Sequence, residues 1–387
     1  MDAYLNVPSD EHSLFIDWHA RLIRDPVSRL RYLRHVVQPD LPATPYARRH
    51  NLASRAAALI LVVLTLPLAT GHEAEEMVKL QPLNHPVTAK APEAVPEVWL
   101  VDVANGFETY SNGLRVDTRF TVRTNSRSYR AILRNSAGGL RMEIRFDPAG
   151  IVFHTTESRL FAFQAARTSQ LKAASQGVLD FVRRNQSYHF VIDRFGQVYR
   201  IVRETDVANH AGRSVWADED FIYLNLNESF LGIAFEARNQ TEDGFPSVTP
   251  AQIHAGRVLT EMLRSKYRIK AGNCIAHAQV SVNPSGHLIA YHTDWATHLP
   301  YRELGLPDNY QEAIPSICLF GFRHDAIWDG AGVDGLGKGI QAGEAVVREQ
   351  ARRLGKSVEA HRRLLWQRYR ELIQALGQPG APKERSS

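Results

Sequence analysis

Tyr188-His189-Phe190-Val191-Ile192-Asp193-Arg194-Phe195-Gly196-Gln197-Val198-Tyr199-Arg200-Ile201-Val202 reads as strand, tight turn, strand, and its neighbours decide the fold class. Upstream, Gly150-Ile151-Val152-Phe153-His154 is a short apolar run that predicts a strand. Between the two lies a helix over about 168–185, with Leu171, Ala174, Val178, Phe181 and Val182 on one face. Downstream, Leu231-Gly232-Ile233-Ala234-Phe235-Glu236 reads as a buried strand. Thr249-Pro250 then opens a helix with an N-cap and a proline at its first position. Its apolar side is Ile253, Gly256, Leu259, Met262 and Leu263. The order strand, helix, hairpin, strand, helix, strand predicts an α/β fold: a mixed central β-sheet flanked by helices. Further out, residues 98–103, 107–110 and 114–120 form short β runs, with Asn112-Gly113 as a hairpin turn. Residues 140–146 (LRMEIRF) alternate strictly, as a strand does.

Chemistry enters through histidines at distant positions. His154 ends its apolar run, and His277 follows Ile275-Ala276 more than a hundred residues later. A carboxylate, Asp294, lies shortly beyond in Tyr291-His292-Thr293-Asp294-Trp295. Two imidazoles and a carboxylate can form a three-ligand zinc site whose fourth position is left for water, as metal-assisted hydrolysis requires. The formal charge is +5 over 387 residues, with arginines concentrated toward the termini. That pattern, without an RNA-binding or zinc-finger motif, predicts no nucleic-acid partner. The two cysteines, Cys274 and Cys318, follow no spacing rule and suit either a disulfide or two buried thiols.

The ends of the chain carry organisation rather than chemistry. Residues 56–70 (AAALILVVLTLPLAT) hold no charge, with Arg48, Arg49 and Arg55 before them and Glu73, Glu75 and Glu76 after. Basic residues upstream favour an N-terminus-in orientation, so a signal-anchor here would export the rest of the chain. The run is about 15 residues, short of the roughly 20 that span comfortably. A signal peptide cleaved near Ala69-Thr70-Gly71, which would secrete the remainder, and a core helix are the competing readings. Expected units are a helical segment 1–52, a transmembrane or signal-anchor segment 53–72, a Pro-rich linker 73–97 and a β-rich lead-in 98–147. A central domain 148–322 and a helical extension 323–387 follow. The last helix is expected over about 343–376, stopped by Gly377 and Pro379. Its near-heptad apolar spacing suits packing on the domain or self-association with another chain.

Residues 150 to about 300 resemble the zinc-dependent N-acetylmuramoyl-L-alanine amidases of the type 2 class. Those enzymes share a fold with phage lysozyme-type amidases and animal peptidoglycan recognition proteins. The matching elements come in order: IVFHTTES, the hairpin YHFVIDRFGQVYRIV, the loop Val207-Ala208-Asn209-His210-Ala211-Gly212, LGIAFEA, Thr249-Pro250-Ala251-Gln252, then IAHAQVSVNP with HTDW. The resemblance implies His154, His277 and Asp294 as ligands of Zn2+ and a peptidoglycan-recognition-like amidase fold. It also implies hydrolysis of the amide between N-acetylmuramic acid and L-alanine in peptidoglycan or soluble muropeptides. Two departures stand out. The second and third ligands lie further apart than the family's usual ten or so residues, which leaves His287 and His292 as rivals to Asp294. His292 also replaces the usual lysine two positions before the third ligand.

Glu236 or Tyr188 is expected to take the water proton or orient the water, and His292 to stabilise the oxyanion. His210, Asn209 and Trp295 are expected on the substrate wall. His189 reads as a structural histidine bonded to a backbone carbonyl. The alternative function is a non-catalytic peptidoglycan-binding receptor or scaffold of the same fold. The expected location is membrane-anchored with the amidase domain exported, the alternative being secretion after signal cleavage.

Overall fold

The computed structural model describes residues 95–134, 140–239, 248–325 and 335–377. All of them fall in the unit that runs from Glu76 to Ser387. The central sheet has eight strands. They are β1 (Leu100–Ala104), β2 (Phe107–Tyr110), β3 (Arg115–Asp117), β6 (Gly150–Thr155), β7 (Phe190–Ile192), β8 (Val198–Arg200), β11 (Phe230–Phe235) and β12 (Cys274–Ala276), in the order β1-β2-β3-β8-β7-β11-β6-β12. Strands β7, β11, β6 and β12 run parallel, while β1–β2, β2–β3 and β7–β8 are antiparallel. The sheet is therefore mixed, as the element order predicts, and it includes the lead-in through the parallel pair β3–β8. A second sheet, ordered β5-β4-β10-β9, joins β4 (Tyr129–Leu133), β5 (Met142–Arg145), β9 (Val215–Ala217) and β10 (Phe221–Leu224). A two-stranded hairpin pairs β13 (Val282–Asn283) with β14 (Leu288–Ile289).

Alternation along each strand sorts its side chains into layers. On β6, Ile151 and Phe153 join Ile233, Phe235, Leu259, Met262 and Leu263 in one core. The last three belong to helix α2 (Pro250–Tyr267). Thr249 is the N-cap that the sequence predicts, and with Gln252 it also forms a full capping box. Helix α1 (Thr168–Arg184) covers the opposite face, where Leu179 and Val182 meet Val191 and Ala234. The expected face of α1 is rotated: Leu171, Ser175, Leu179 and Val182 are buried, while Phe181 is 48% exposed. The second sheet sits on that same side. Tyr129 and Ala131 of β4 pack with Val152, and Ile132 packs the other way with the C-terminal helices.

The C-terminal helix is broken where the sequence reading runs it through. Helix α3 (Leu336–Arg353) and helix α4 (Val358–Leu376) are separated at Gly355, whose φ of 62° suits glycine. Ser357 then caps α4 by accepting from the Ala360 N–H. The terminal helix stops at Gly377, as expected, and buries Leu365, Tyr369, Leu372 and Ile373 on its own domain. Cys274 and Cys318 are both buried thiols, which selects the thiol reading over the disulfide.

The membrane part of the expectation is corrected. Among the described residues no helix is long and apolar enough to cross a membrane. The longest, α4, carries Glu359, Arg362, Arg363, Arg368, Arg370 and Glu371. Each charge at a bilayer centre costs about 2.5–3.5 kcal/mol. The segment 53–72 itself lies outside the described residues. The membrane-spanning segment, the membrane as a partner and the membrane-anchored location thus find no support among the described residues.

Candidate metal centre

His154 and His277 meet because their strands are neighbours. Strand β12 pairs in parallel with β6, with Ala276 opposite Phe153. One residue further, His277 comes level with His154 at the carboxyl ends of the two strands, where crevices form in parallel sheets. The ring centroids are 4.4 Å apart. Asp294 closes the group: Oδ2 lies 3.2 Å from His154 Nδ1 and Oδ1 lies 2.8 Å from His277 Nδ1. One ligand atom from each residue falls within 4.8 Å of the others, and all three residues are buried.

The long gap between His277 and Asp294 is taken up by the hairpin β13–β14, which leaves and returns at one place. Ala290 N–H donates to Ser281 O at 2.8 Å, and Ser281 N–H to His277 O at 3.0 Å. Ala278 N–H then donates to Asp294 O at 3.2 Å. The long route thus ends with the carboxylate beside His277. Of the rival ligands, His287 is exposed and its ring lies 3.7 Å from that of Trp366 on α4. His292 stacks on His277 at 4.8 Å, outside the cluster of three.

Burial would raise the Asp294 carboxyl, but the charge and hydrogen bonds of His277 and His154 outweigh it and hold the group far below the usual range. Burial, reinforced by His277, pushes His154 down to about 4. The cluster thus joins a neutral imidazole, an ionised carboxylate and a second imidazole. That nitrogen–nitrogen–oxygen set fits a borderline divalent ion such as zinc and leaves one position open.

The other expected residues separate into two groups. Tyr188 and His210 are at the centre, with ring centroids 5.0 and 5.3 Å from His154. Glu236 follows β11 on the face that carries His154, since Ala234 pairs with His154. Its Oε2 accepts from Ser175 Oγ of α1 at 2.5 Å and from Arg194 N–H at 3.3 Å. Asn209 is exposed, its side chain donating to Asn185 O at 3.1 Å. Trp295 is not brought to an open face: its ring is 3% exposed and packs edge-on against Phe235. His189 is structural, with Nδ1 accepting from Gly232 N–H at 2.9 Å and Nε2 lying 3.1 Å from Asp206 O.

Three residues that the sequence reading passed over frame the centre. Arg127, from the lead-in, is buried and donates to the carbonyls of Glu204, Asp206, Glu228 and Phe230. Glu157 accepts from Thr155 Oγ1 and from Asn239 N–H, while Asn239 Oδ1 accepts from Trp295 N–H beside Asp294. Burial raises the Glu157 carboxyl, and the Asp294 charge adds to this. Glu157, Tyr188 and Trp295, each close in sequence or space to a ligand, have φ of 50°, 61° and 61°. Non-glycine residues in this region cost roughly 1–3 kcal/mol each and tend to cluster at functional sites. Gly232 is the sequence signal that was available: a glycine inside a strand often marks a close approach. A Cβ there would lie 2.6 Å from His210 Cγ.

The Glu236 carboxyl yields a pH prediction. Burial raises it to about 7, above the unfolded value of about 4.3. The folded state therefore binds more protons between those limits, and stability falls as pH rises through that window. Glu236→Gln removes this titration. Urea melts should show the variant gaining about 2–4 kcal/mol on the wild type between pH 5 and pH 8. An unchanged difference across that range would contradict the buried, proton-binding carboxyl.

Residues 145–294 match the family model described as Amidase_2, N-acetylmuramoyl-L-alanine amidase. The N-acetylmuramoyl-L-alanine amidase AmiD of Escherichia coli (strain K12) is 32% identical over 89 residues, 22% of this chain and 31% of that protein. The chain thus spans about a third of the length of the curated relative it matches. The solved structure of Escherichia coli AmiD with the substrate anhydro-N-acetylmuramic acid-L-Ala-D-gamma-Glu-L-Lys is 22% identical, with a TM-score of 0.31, over 52% of this chain and 65% of that one. That of AmpDh3 from Pseudomonas aeruginosa with anhydromuramic pentapeptide is 23% identical, with a TM-score of 0.29, over 41% and 58%. Drosophila peptidoglycan recognition protein SD is 16% identical, with a TM-score of 0.28, over 44% and 86%. The stretch that matches the Amidase_2 model therefore contains all three members of the His154, His277 and Asp294 cluster, which can hold a metal ion.

Proposed function

We propose that this amidase-family segment makes the chain a zinc-dependent hydrolase of the amide bond between N-acetylmuramic acid and L-alanine in peptidoglycan. The observation that supports it most is the buried convergence of His154, His277 and Asp294, whose ligand atoms lie within 4.8 Å of one another. A zinc ion held by these three residues would supply a water of pKa about 7 and polarise the scissile carbonyl.

The chain's own residues divide the remaining work. Burial raises the Tyr188 hydroxyl, so it stays protonated and donates a hydrogen bond that orients the water. Glu236, with a carboxyl near 7, is the proton acceptor and returns the proton to the leaving amine of L-alanine. His292 is the donor to the developing oxyanion, a role supported by its stacking on His277 beside the cluster. Asn209 offers an exposed amide to the substrate wall. Residues 148–322 are the working amidase unit, with 98–147 and 323–387 as its lead-in and extension.

The test is incubation of the purified full chain with muropeptides, with products read by mass spectrometry. The expected result is stem peptide with a free L-alanine amine. Release stops with a chelator and returns with zinc. Binding without release, in the presence of bound zinc, would favour a non-catalytic peptidoglycan-binding protein of the same fold.

A further inference from the structure

His154 has a second contact that the proposed chemistry does not use. Its Nε2 lies 3.2 Å from Nδ1 of His210, and Nε2 of His210 lies 3.2 Å from the Phe230 carbonyl oxygen. A carbonyl oxygen only accepts, so the His210 proton sits on Nε2. Nδ1 of a neutral His210 is then a lone pair, and the contact to it is donated by the Nε2–H of His154. His154 is left without a proton on Nδ1, the atom that faces Asp294 Oδ2 at 3.2 Å. A lone pair and a carboxylate oxygen at that distance repel each other unless a cation lies between them.

We propose that His210 is a positioning residue: by accepting the Nε2 proton of His154, it fixes that ring in the tautomer whose Nδ1 lone pair is presented to the metal. The inference rests on the reading of His154, His277 and Asp294 as a metal centre and adds to it a residue that orients one ligand.

The surroundings are built for this contact. Strand β11 carries glycine at position 232, where any side chain would collide with the His210 ring, the first contact being 2.6 Å to Cγ. The backbone N–H of His210 is held by Asn227 Oδ1 at 2.8 Å. The Phe230 carbonyl is itself pinned by Arg127 Nη1 at 3.3 Å. His210 is therefore fixed at its backbone, at its ring face and at both ring nitrogens. The opposite proton assignment needs a doubly protonated His210, a cation placed near three further imidazoles. Such a cation would stand edge-on to the rings of His154 and His189, with centroids 5.3 and 5.6 Å away. Outer partners that orient a ligating histidine typically contribute 10–100-fold in metal affinity.

The experiment compares the full chain with His210→Leu and His210→Gln, with ring nitrogens labelled with 15N. Glutamine keeps an acceptor for His154 and a donor for the Phe230 carbonyl; leucine keeps neither. Long-range 1H–15N correlation of the metal-free protein reports which nitrogen of His154 carries the proton, and competition with a chromophoric chelator reports zinc affinity. The expected result is an Nε2–H tautomer in the wild type and in His210→Gln. Zinc affinity should fall about 10–100-fold in His210→Leu and return to within a few-fold in His210→Gln. An Nδ1–H tautomer in the wild type, or undiminished zinc affinity in His210→Leu, overturns the proposal while leaving the metal centre standing. A wild type that takes up no zinc at all overturns the metal centre, and this inference with it. Should His210→Leu fail to fold, the wild-type tautomer and the affinity of His210→Gln still decide.

Discussion

Under the proposed function, Asp294→Asn is expected to abolish zinc uptake and to lower hydrolysis by at least about a thousandfold, a loss of about 4 kcal/mol of transition-state stabilisation. The substitution keeps the shape of the side chain and removes its charge. The carboxylate is the one group shared by both imidazoles, through Oδ2 to His154 and Oδ1 to His277. Without it, two neutral nitrogens remain, and two nitrogens are one ligand short of the three that catalytic zinc sites use. The fold should survive, because the loop is also tied by the backbone. Ala278 N–H donates to Asp294 O at 3.2 Å, and the Tyr310 hydroxyl donates to the Trp295 carbonyl. Metal content by plasma mass spectrometry and kcat/KM on a muropeptide check both halves. A variant that keeps one zinc per chain and more than a tenth of the activity would return the third ligand to His287 or His292.

Arg127→Ala is the substitution expected to cost most in stability, about 3–5 kcal/mol. The guanidinium is 2% exposed. It reaches the Glu204 carbonyl at 3.1 Å, Asp206 at 3.0 Å, Glu228 at 2.5 Å and Phe230 at 3.3 Å. Burial lowers its pKa to about 10, so it remains charged at neutral pH. Four carbonyl dipoles in place of a direct carboxylate bond solvate that charge. Alanine leaves these acceptors short of a donor in a space closed to bulk water, and each such loss costs about 1–3 kcal/mol. For a unit of this size the midpoint of thermal unfolding should fall by roughly 6–20 °C. A fall under about 2 °C would show that the carbonyls find other donors. Arg127 lies outside residues 145–294, so a large effect would also show that the lead-in folds as one unit with the His154, His277 and Asp294 cluster rather than as a detachable arm.

How much of this was legible in the chain follows from what each signal encodes. The hairpin β7–β8, strands β6 and β11, and the capped start of α2 were readable because apolar runs, turn residues and caps are local. The meeting of His154, His277 and Asp294 was readable too, since each histidine closes an apolar run at a strand end and the carboxylate follows in the same segment as the second. The route from His277 to Asp294 looked too long, and it became short once residues 282–289 closed into a hairpin, a return that spacing alone does not show. The break at Gly355 was overlooked although Gly355-Lys356-Ser357 combines a left-handed stop with a fresh N-cap. The rotation of α1 was hidden because Ser175 occupies an inward position that hydropathy assigns to the surface. Ser175 is there to bond Glu236. Arg127 had no signature at all: an arginine that serves backbone carbonyls looks in sequence like any surface arginine. His210 was expected to face substrate, yet both of its ring nitrogens are turned to the protein.

The most direct test of the central claim is an anomalous difference map collected at the zinc absorption edge on crystals of the zinc-loaded chain. The account predicts a single strong peak about 2.0–2.2 Å from Nδ1 of His154, a nitrogen of His277 and a carboxylate oxygen of Asp294. A peak coordinated by His287 or His292 in place of Asp294, or no peak among these residues in a chain saturated with zinc, would contradict it.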